Sequence, residues 1–305
     1  MTRTHRTLKL LLLSLALMFT LNACAINTSY PGTMNVAEAS KVAEDAAAGS
    51  KVVVIDARGQ EAYDKGHLKG AICLSPTELV IETPVPNMLA SKAQVEKVLG
   101  DKGITNDSTV YIYDDNGGVN AGRIWWTLKV YGHEKVMLIN GGPAALGAEK
   151  LEMTREATVL PAAVYTAKDA DAKMISSYED VEALVASQDS KVKILDVRSL
   201  AEYEAGYIPG AILYPHTKNL YTDGTFMSSR DLGLFYKDLG LQKDDTIIVY
   251  CKSSFRATQS VALLQEAGYE NLKIYDGAWL EWESRADVTV PPVQGSAPVG
   301  ESDGS

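Results

Sequence analysis

Cys251-Lys252-Ser253-Ser254-Phe255-Arg256 places a sulfur nucleophile among two cations and two turn-forming serines. The segment follows the β-branched run Thr246–Tyr250 and precedes a helical pattern, Ala257 to Ala267, ended by Gly268. A strand–loop–helix connection of this kind turns backbone N–H groups inward, and the helix N-terminus adds partial positive charge. That field favours the thiolate, the form that attacks sulfur. Structural burial is the usual fate of a lone cysteine, and the flanking Lys, Ser and Arg residues argue against it here. Cys73, in the apolar run Ala71–Leu74, has no such neighbours and reads as core. With three cysteines, no Cys-x-x-Cys pair and four histidines, neither a disulfide framework nor a metal site is expected, and no cofactor is called for.

The elements that must position this loop emerge from an internal repeat. Asp56, Arg58, Tyr63, Gly66 and Gly70-Ala71-Ile72 recur as Asp196, Arg198, Tyr203, Gly206 and Gly210-Ala211-Ile212, at a constant offset of 140. Thr109–Tyr113 answers Thr246–Tyr250, and Val136–Gly142 answers Leu272–Ala278. A period this long marks a duplicated domain. Short apolar runs (52–55, 110–113, 136–139 and 192–195, 246–249, 272–275) alternate with helical patterns at 91–99, 121–131, 177–187, 231–239 and 256–267. That alternation predicts an α/β fold with a mostly parallel sheet flanked by helices in each copy. The domains are expected at 35–150 and 174–288, joined by a linker, 151–173, that packs along both, with a flexible tail at 289–305.

The chain has 305 residues, 46% hydrophobic and 22% charged, which suits two globular domains. A net charge of −10 excludes nucleic acid as the main partner. Arg3, His5, Arg6 and Lys9 precede an apolar run, Leu10 to Leu21, of signal-peptide length. The run ends in Leu21-Asn22-Ala23-Cys24, which resembles the lipobox of bacterial lipoproteins. That resemblance implies a signal peptide over 1–23, acylation of Cys24, a lipidated tether over 24–34 and a membrane partner through the lipid. The place is then the bacterial cell envelope on the periplasmic side, at the outer membrane if the source is Gram-negative.

The two Asp-x-Arg segments, the Cys251 loop and Tyr275-Asp-Gly-Ala-Trp279-Leu-Glu-Trp282 together resemble the tandem-domain rhodaneses, which are sulfurtransferases. The resemblance covers roughly residues 35 to 288. It implies two rhodanese-like domains, an inactive first copy with Asp114 standing in the place of Cys251, and a catalytic second copy. It further implies ping-pong chemistry. The Cys251 thiolate takes the outer sulfur of thiosulfate as a persulfide and passes it to a thiophilic acceptor, cyanide or a thiol. Cys251 to Arg256 spans six residues; related dual-specificity phosphatases carry one residue more, so phosphate chemistry is disfavoured.

In this reading Lys252, Ser253, Ser254, Phe255 and Arg256 bind substrate, the serines through their amides, and Lys252 and Arg256 draw in the dianionic donor. Arg198 and Trp279 are possible supporting residues, although the Asp196–Arg198 repeat in the copy without a nucleophile points to a structural ion pair. Tyr207 stands where many relatives have His, so no histidine base sits in that motif. Glu202 replaces the substrate-binding Arg of the animal-type enzymes. The basic loop favours thiosulfate. The alternatives are 3-mercaptopyruvate as donor, or a sulfur-relay and binding module without turnover.

Overall fold

The computed structural model describes residues 29–286. The expected signal peptide, Cys24, the start of the tether and the 289–305 tail lie outside the described residues.

Each copy builds a five-stranded, wholly parallel sheet. In the first, β1 (Val36–Ala37), β2 (Val52–Asp56), β3 (Ile72–Cys73), β4 (Thr109–Tyr113) and β5 (Val136–Ile139) lie in the order β1-β5-β4-β2-β3. In the second, β6 (Ile175–Ser176), β7 (Val192–Asp196), β8 (Ile212–Leu213), β9 (Thr246–Tyr250) and β10 (Leu272–Tyr275) repeat it as β6-β10-β9-β7-β8. Helices cover both faces, so the central strand β4 is buried at every residue. The register sets Asp56 opposite Tyr113 and Asp196 opposite Tyr250. Both tyrosine hydroxyls donate to the facing carboxylate, at 2.7 and 2.6 Å. The Asp-x-Arg segment therefore ends beside the strand that leads into each functional loop.

All six central strands form where the apolar runs placed them, within one residue at each end. The helices α1 (Ser40–Ala47), α2 (Gln60–Lys65), α3 (Lys92–Asp101), α4 (Val119–Val130), α5 (Gly142–Ala148), α6 (Tyr178–Ser187), α7 (Leu200–Glu204), α8 (Ser229–Asp238), α9 (Phe255–Glu266) and α10 (Ala278–Arg285) include the five expected ones. The rest are mostly too short for a period to register, and the edge strands have two residues each. Helix α8 starts two residues before its apolar pattern because the Ser228 hydroxyl caps it, accepting from the Asp231 amide at 3.2 Å.

The two domains share one core. Helices α4 and α9 cross so closely at Gly122 that a Cβ there would lie 2.8 Å from the Gln259 nitrogen. Both helices are buried almost all round, and that is why neither shows a clean polar face. Polar bonds also tie the halves together. The Asn35 amide donates to Glu266 at 2.7 Å, the Phe226 amide to Asn140 at 2.8 Å, and Gln259 to the Gly117 carbonyl at 3.0 Å.

The connecting segment bonds mainly to the first domain and reaches the second at its end, where Ala172–Met174 packs against β10. Its hydrogen bonds run to the first domain, from Thr158 to the Tyr63 hydroxyl, Ala163 to Gly100 and Asp171 to Val130. Met153–Thr154 adds an antiparallel pair with His67–Leu68. These backbone groups need partners, and the edge at His67–Leu68 supplies them. Among the described residues no helix is long and apolar enough to cross a membrane.

Candidate active site

Cys251 is the first residue past β9 and is 1% exposed. Its loop is fastened from behind by the start of α10. The Trp279 amide donates to the Cys251 carbonyl at 3.0 Å, and the Leu280 amide to the Lys252 carbonyl at 3.1 Å. Those two carbonyls are thereby satisfied from the α10 side. Ser254 closes the loop with φ +68°, a left-handed conformation that costs a non-glycine residue roughly 1–2 kcal/mol. The buried Ser254 hydroxyl offsets that strain by donating to the Asp276 carbonyl at 2.6 Å. Its side chain is thus structural, and only its amide is available to a ligand. Ala278, also buried, holds φ +54° across the loop from it. Two strained residues therefore flank the cysteine, as is common where a site must hold one geometry.

The first domain shows what such a loop grips. There Asp114 stands past β4, and its carboxylate accepts from the Asn116, Gly118 and Ala121 amides at 3.0, 2.8 and 2.8 Å. Burial pushes this carboxyl up, while those amides pull it down. Gly118 precedes α4 in the left-handed region, as Ser254 precedes α9. The Ser254 and Ala257 amides are therefore the counterparts of two that hold an anion in the first copy. The first loop is one residue longer, with α4 starting five residues after Asp114 and α9 four after Cys251.

The other candidate residues separate into groups. Lys252 is exposed and Ser253 half-buried at the loop surface. The Phe255 ring lies 5.5 Å from the guanidinium of Arg123, across the domain boundary. Arg256 reaches Cys251, whose sulfur is among the groups that raise its pKa. It is not a free cation, however. Both of its terminal nitrogens are held by Glu202, at 2.7 and 2.8 Å. That fork pulls the Glu202 carboxyl down to about 2.

Arg198 is buried, forked onto Asp196 and bonded to the Gly206 carbonyl at 2.7 Å, with its guanidinium 4.4 Å from the Trp279 ring. Arg58 repeats the same contacts with Asp56 and Gly66 in the copy that lacks the nucleophile. The pair is a brace for the strand end, and Trp279 is its lid. Tyr207 stacks on Tyr203 as His67 stacks on Tyr63, at 4.2 and 3.5 Å. Cys73 is half-buried at the edge strand β3, and burial pushes its thiol up.

Two participants were not legible beforehand. His216 comes within electrostatic range of Arg256 and Glu202, and burial, aided by Arg256, pushes its pKa down. Arg123 crosses the domain boundary to bind Asp276 at 2.7 Å. No local spacing announces these contacts, because they join residues 14 to 153 positions apart in chain order.

The fold and site define a tandem α/β protein, with a thiol in the strand-end loop of one copy and a carboxylate in that of the other. The family model for the rhodanese-like domain matches twice, over residues 39–149 and 177–285. The chain belongs to the rhodanese family. It is 33% identical over 241 residues to a Mycolicibacterium smegmatis protein provisionally named a thiosulfate sulfurtransferase, covering 73% of this chain and 85% of that one. It is 32% identical over 246 residues to the sulfur carrier protein TtuD of Thermus thermophilus, covering 75% and 86%. The crystal structure of SseA from Escherichia coli, described among 3-mercaptopyruvate sulfotransferases of the rhodanese fold, superposes with a TM-score of 0.73 at 28% identity, covering 81% and 99%.

Proposed function

We propose that this chain is a sulfurtransferase that moves a sulfane sulfur from thiosulfate to a thiophilic acceptor through a persulfide on Cys251. The thiolate attacks the outer sulfur, and the sulfur–sulfur bond breaks with its electron pair leaving on sulfite. Cyanide or a thiol then attacks the outer persulfide sulfur and restores the thiolate. The observation that carries this reading is the amide cradle. The first copy closes it on the Asp114 carboxylate, and the second keeps the same left-handed turn before its helix, with Ser254 and Ala257 at the equivalent places after Cys251. Amides fixed in advance stabilise a terminal persulfide anion as an oxyanion hole does an alkoxide. Lys252 supplies the free positive charge at the rim, and Arg256 acts as one half of an ion pair.

Likeness to SseA keeps 3-mercaptopyruvate as the alternative donor. Likeness to a sulfur carrier supports a second role, relay of the persulfide to another protein without release to small acceptors. Single-turnover release of sulfite from thiosulfate, followed by cyanide and detection of thiocyanate, tests the reading. Both products, and one added sulfur atom on Cys251 by mass spectrometry, are expected. Cys251→Ser abolishes all three, and Cys73→Ser retains them. No added sulfur from any sulfane donor would overturn the proposal. We further place the protein at the bacterial envelope through acylated Cys24, on the strength of the sequence pattern; a Cys24→Ala form that stays with the membrane fraction would refute that placement.

A further inference from the structure

In sequence the Cys251 loop carries two cations, but in the fold only Lys252 lacks an ion-pair partner among the described residues. Glu202 grips Arg256 through both carboxylate oxygens. The carboxylate is itself fixed from the far side, since the Ser199 amide and hydroxyl donate to Oε2 at 3.0 and 2.9 Å. The same contacts form the capping box of α7, so the carboxylate cannot swing away without uncapping that helix. The pair is neither deeply buried nor free, with the Arg256 side chain 22% and the Glu202 side chain 33% exposed. A guanidinium whose countercharge lies within hydrogen-bond distance presents a dipole to an approaching ion, and the attraction of a dipole falls off much faster than that of a charge.

We infer that Glu202 sets the charge selectivity of the Cys251 site. By neutralising Arg256 it weakens the hold on small dianionic sulfur donors and favours a persulfide whose carrier bears no further negative charge. This rests on the persulfide reading above. With such a donor, R–S–SH, the Cys251 thiolate takes the outer sulfur. The sulfur–sulfur bond breaks with its electrons on R–S, which gains the proton and leaves as R–SH. Such a donor brings at most one negative charge to the cradle, as R–S–S⁻, and none in the protonated form that reacts. With thiosulfate the two donor charges must approach a thiolate with Lys252 as the only uncompensated cation in the loop.

Glu202→Gln tests this, because glutamine keeps the size and a capping acceptor while removing the charge. The first reading is alkylation of the Cys251 peptide, followed by mass spectrometry, with anionic iodoacetate and neutral iodoacetamide in parallel. In the variant the iodoacetate-to-iodoacetamide rate ratio rises about tenfold, the low end of electrostatic focusing effects. The kcat/KM for thiosulfate rises in step, through KM, while loading from 2-hydroxyethyl persulfide changes less than about twofold. Adding Arg256→Gln returns the alkylation ratio to that of the parent. An unchanged ratio overturns the inference, and so does an equal rise with both reagents, which would signify a looser loop. A raised ratio with no sulfur loading from thiosulfate upholds the role of Glu202 and instead removes thiosulfate as donor.

Discussion

Replacing Arg123 by alanine should be among the most damaging single changes in this protein, although the residue lies in the copy without a nucleophile. Arg123 is fully buried and binds Asp276, itself 4% exposed, at 2.7 Å. A second nitrogen donates to the Asn87 carbonyl at 2.8 Å, and the guanidinium lies 4.9 Å from the Trp126 ring. Asp276 accepts in addition from the Leu89 amide at 2.6 Å. Removing the guanidinium leaves a carboxylate buried with one remaining partner, a loss of about 3–5 kcal/mol. At about 2–4 °C per kcal/mol for a chain of this size, Tm falls by roughly 6–20 °C.

The change also reaches the active loop, because the Ser254 hydroxyl is anchored on the Asp276 carbonyl. Thermal unfolding by circular dichroism and by tryptophan fluorescence measures the loss. Trp125 and Trp126, on the same helix and fully buried, report directly on the interface. The pair itself is worth less than its rupture. The Nε of Arg123 has no hydrogen-bond partner among the described residues, and replacing both charges at once spares the uncompensated carboxylate. Arg123→Met with Asp276→Asn should therefore recover at least half of the loss. A cost below about 1 kcal/mol for Arg123→Ala, or strictly additive losses in the double variant, would refute the reasoning.

Three further outcomes follow from the same contacts. Gly122→Ala puts a methyl 2.8 Å from the Gln259 nitrogen and must part helices α4 and α9, at a cost of about 1–3 kcal/mol in urea unfolding. Asp114→Ala strips the acceptor from three amides and should destabilise by about 1–3 kcal/mol for each amide that water cannot reach, with Cys251 still open to alkylation; a Tm equal to the parent's would contradict the role given to the cradle. The Glu202 carboxyl lies below its ordinary value of 4.5, at about 2, so its contribution is fully present above about pH 4.5 and lost as pH falls through 2. An acid titration of stability should lose that component in Glu202→Gln, and identical acid profiles would count against the ion pair.

The sequence by itself determined the duplication and the six central strands, and it singled out Cys251 as the candidate nucleophile. Each of these is a local or periodic signal. A buried parallel strand must be a short apolar run, and a reactive thiol must sit among polar residues at a strand end. Arg256 shows where such reading stops. Its distance from Cys251 along the chain is fixed, but whether its charge is free depends on Glu202, fifty-four residues earlier, which packing of α7 against the loop brings to 2.7 Å. Arg198, a possible supporting residue, is forked onto Asp196 with the Trp279 ring over it, a contact that no local spacing announces. The domain boundary was legible as a repeat, but the shared core across α4 and α9, and the Arg123–Asp276 bond through it, were not. Hydrophobic pattern records that a face is covered and not what covers it. Charge balance inside a site is a sum over neighbours that only the tertiary structure assembles.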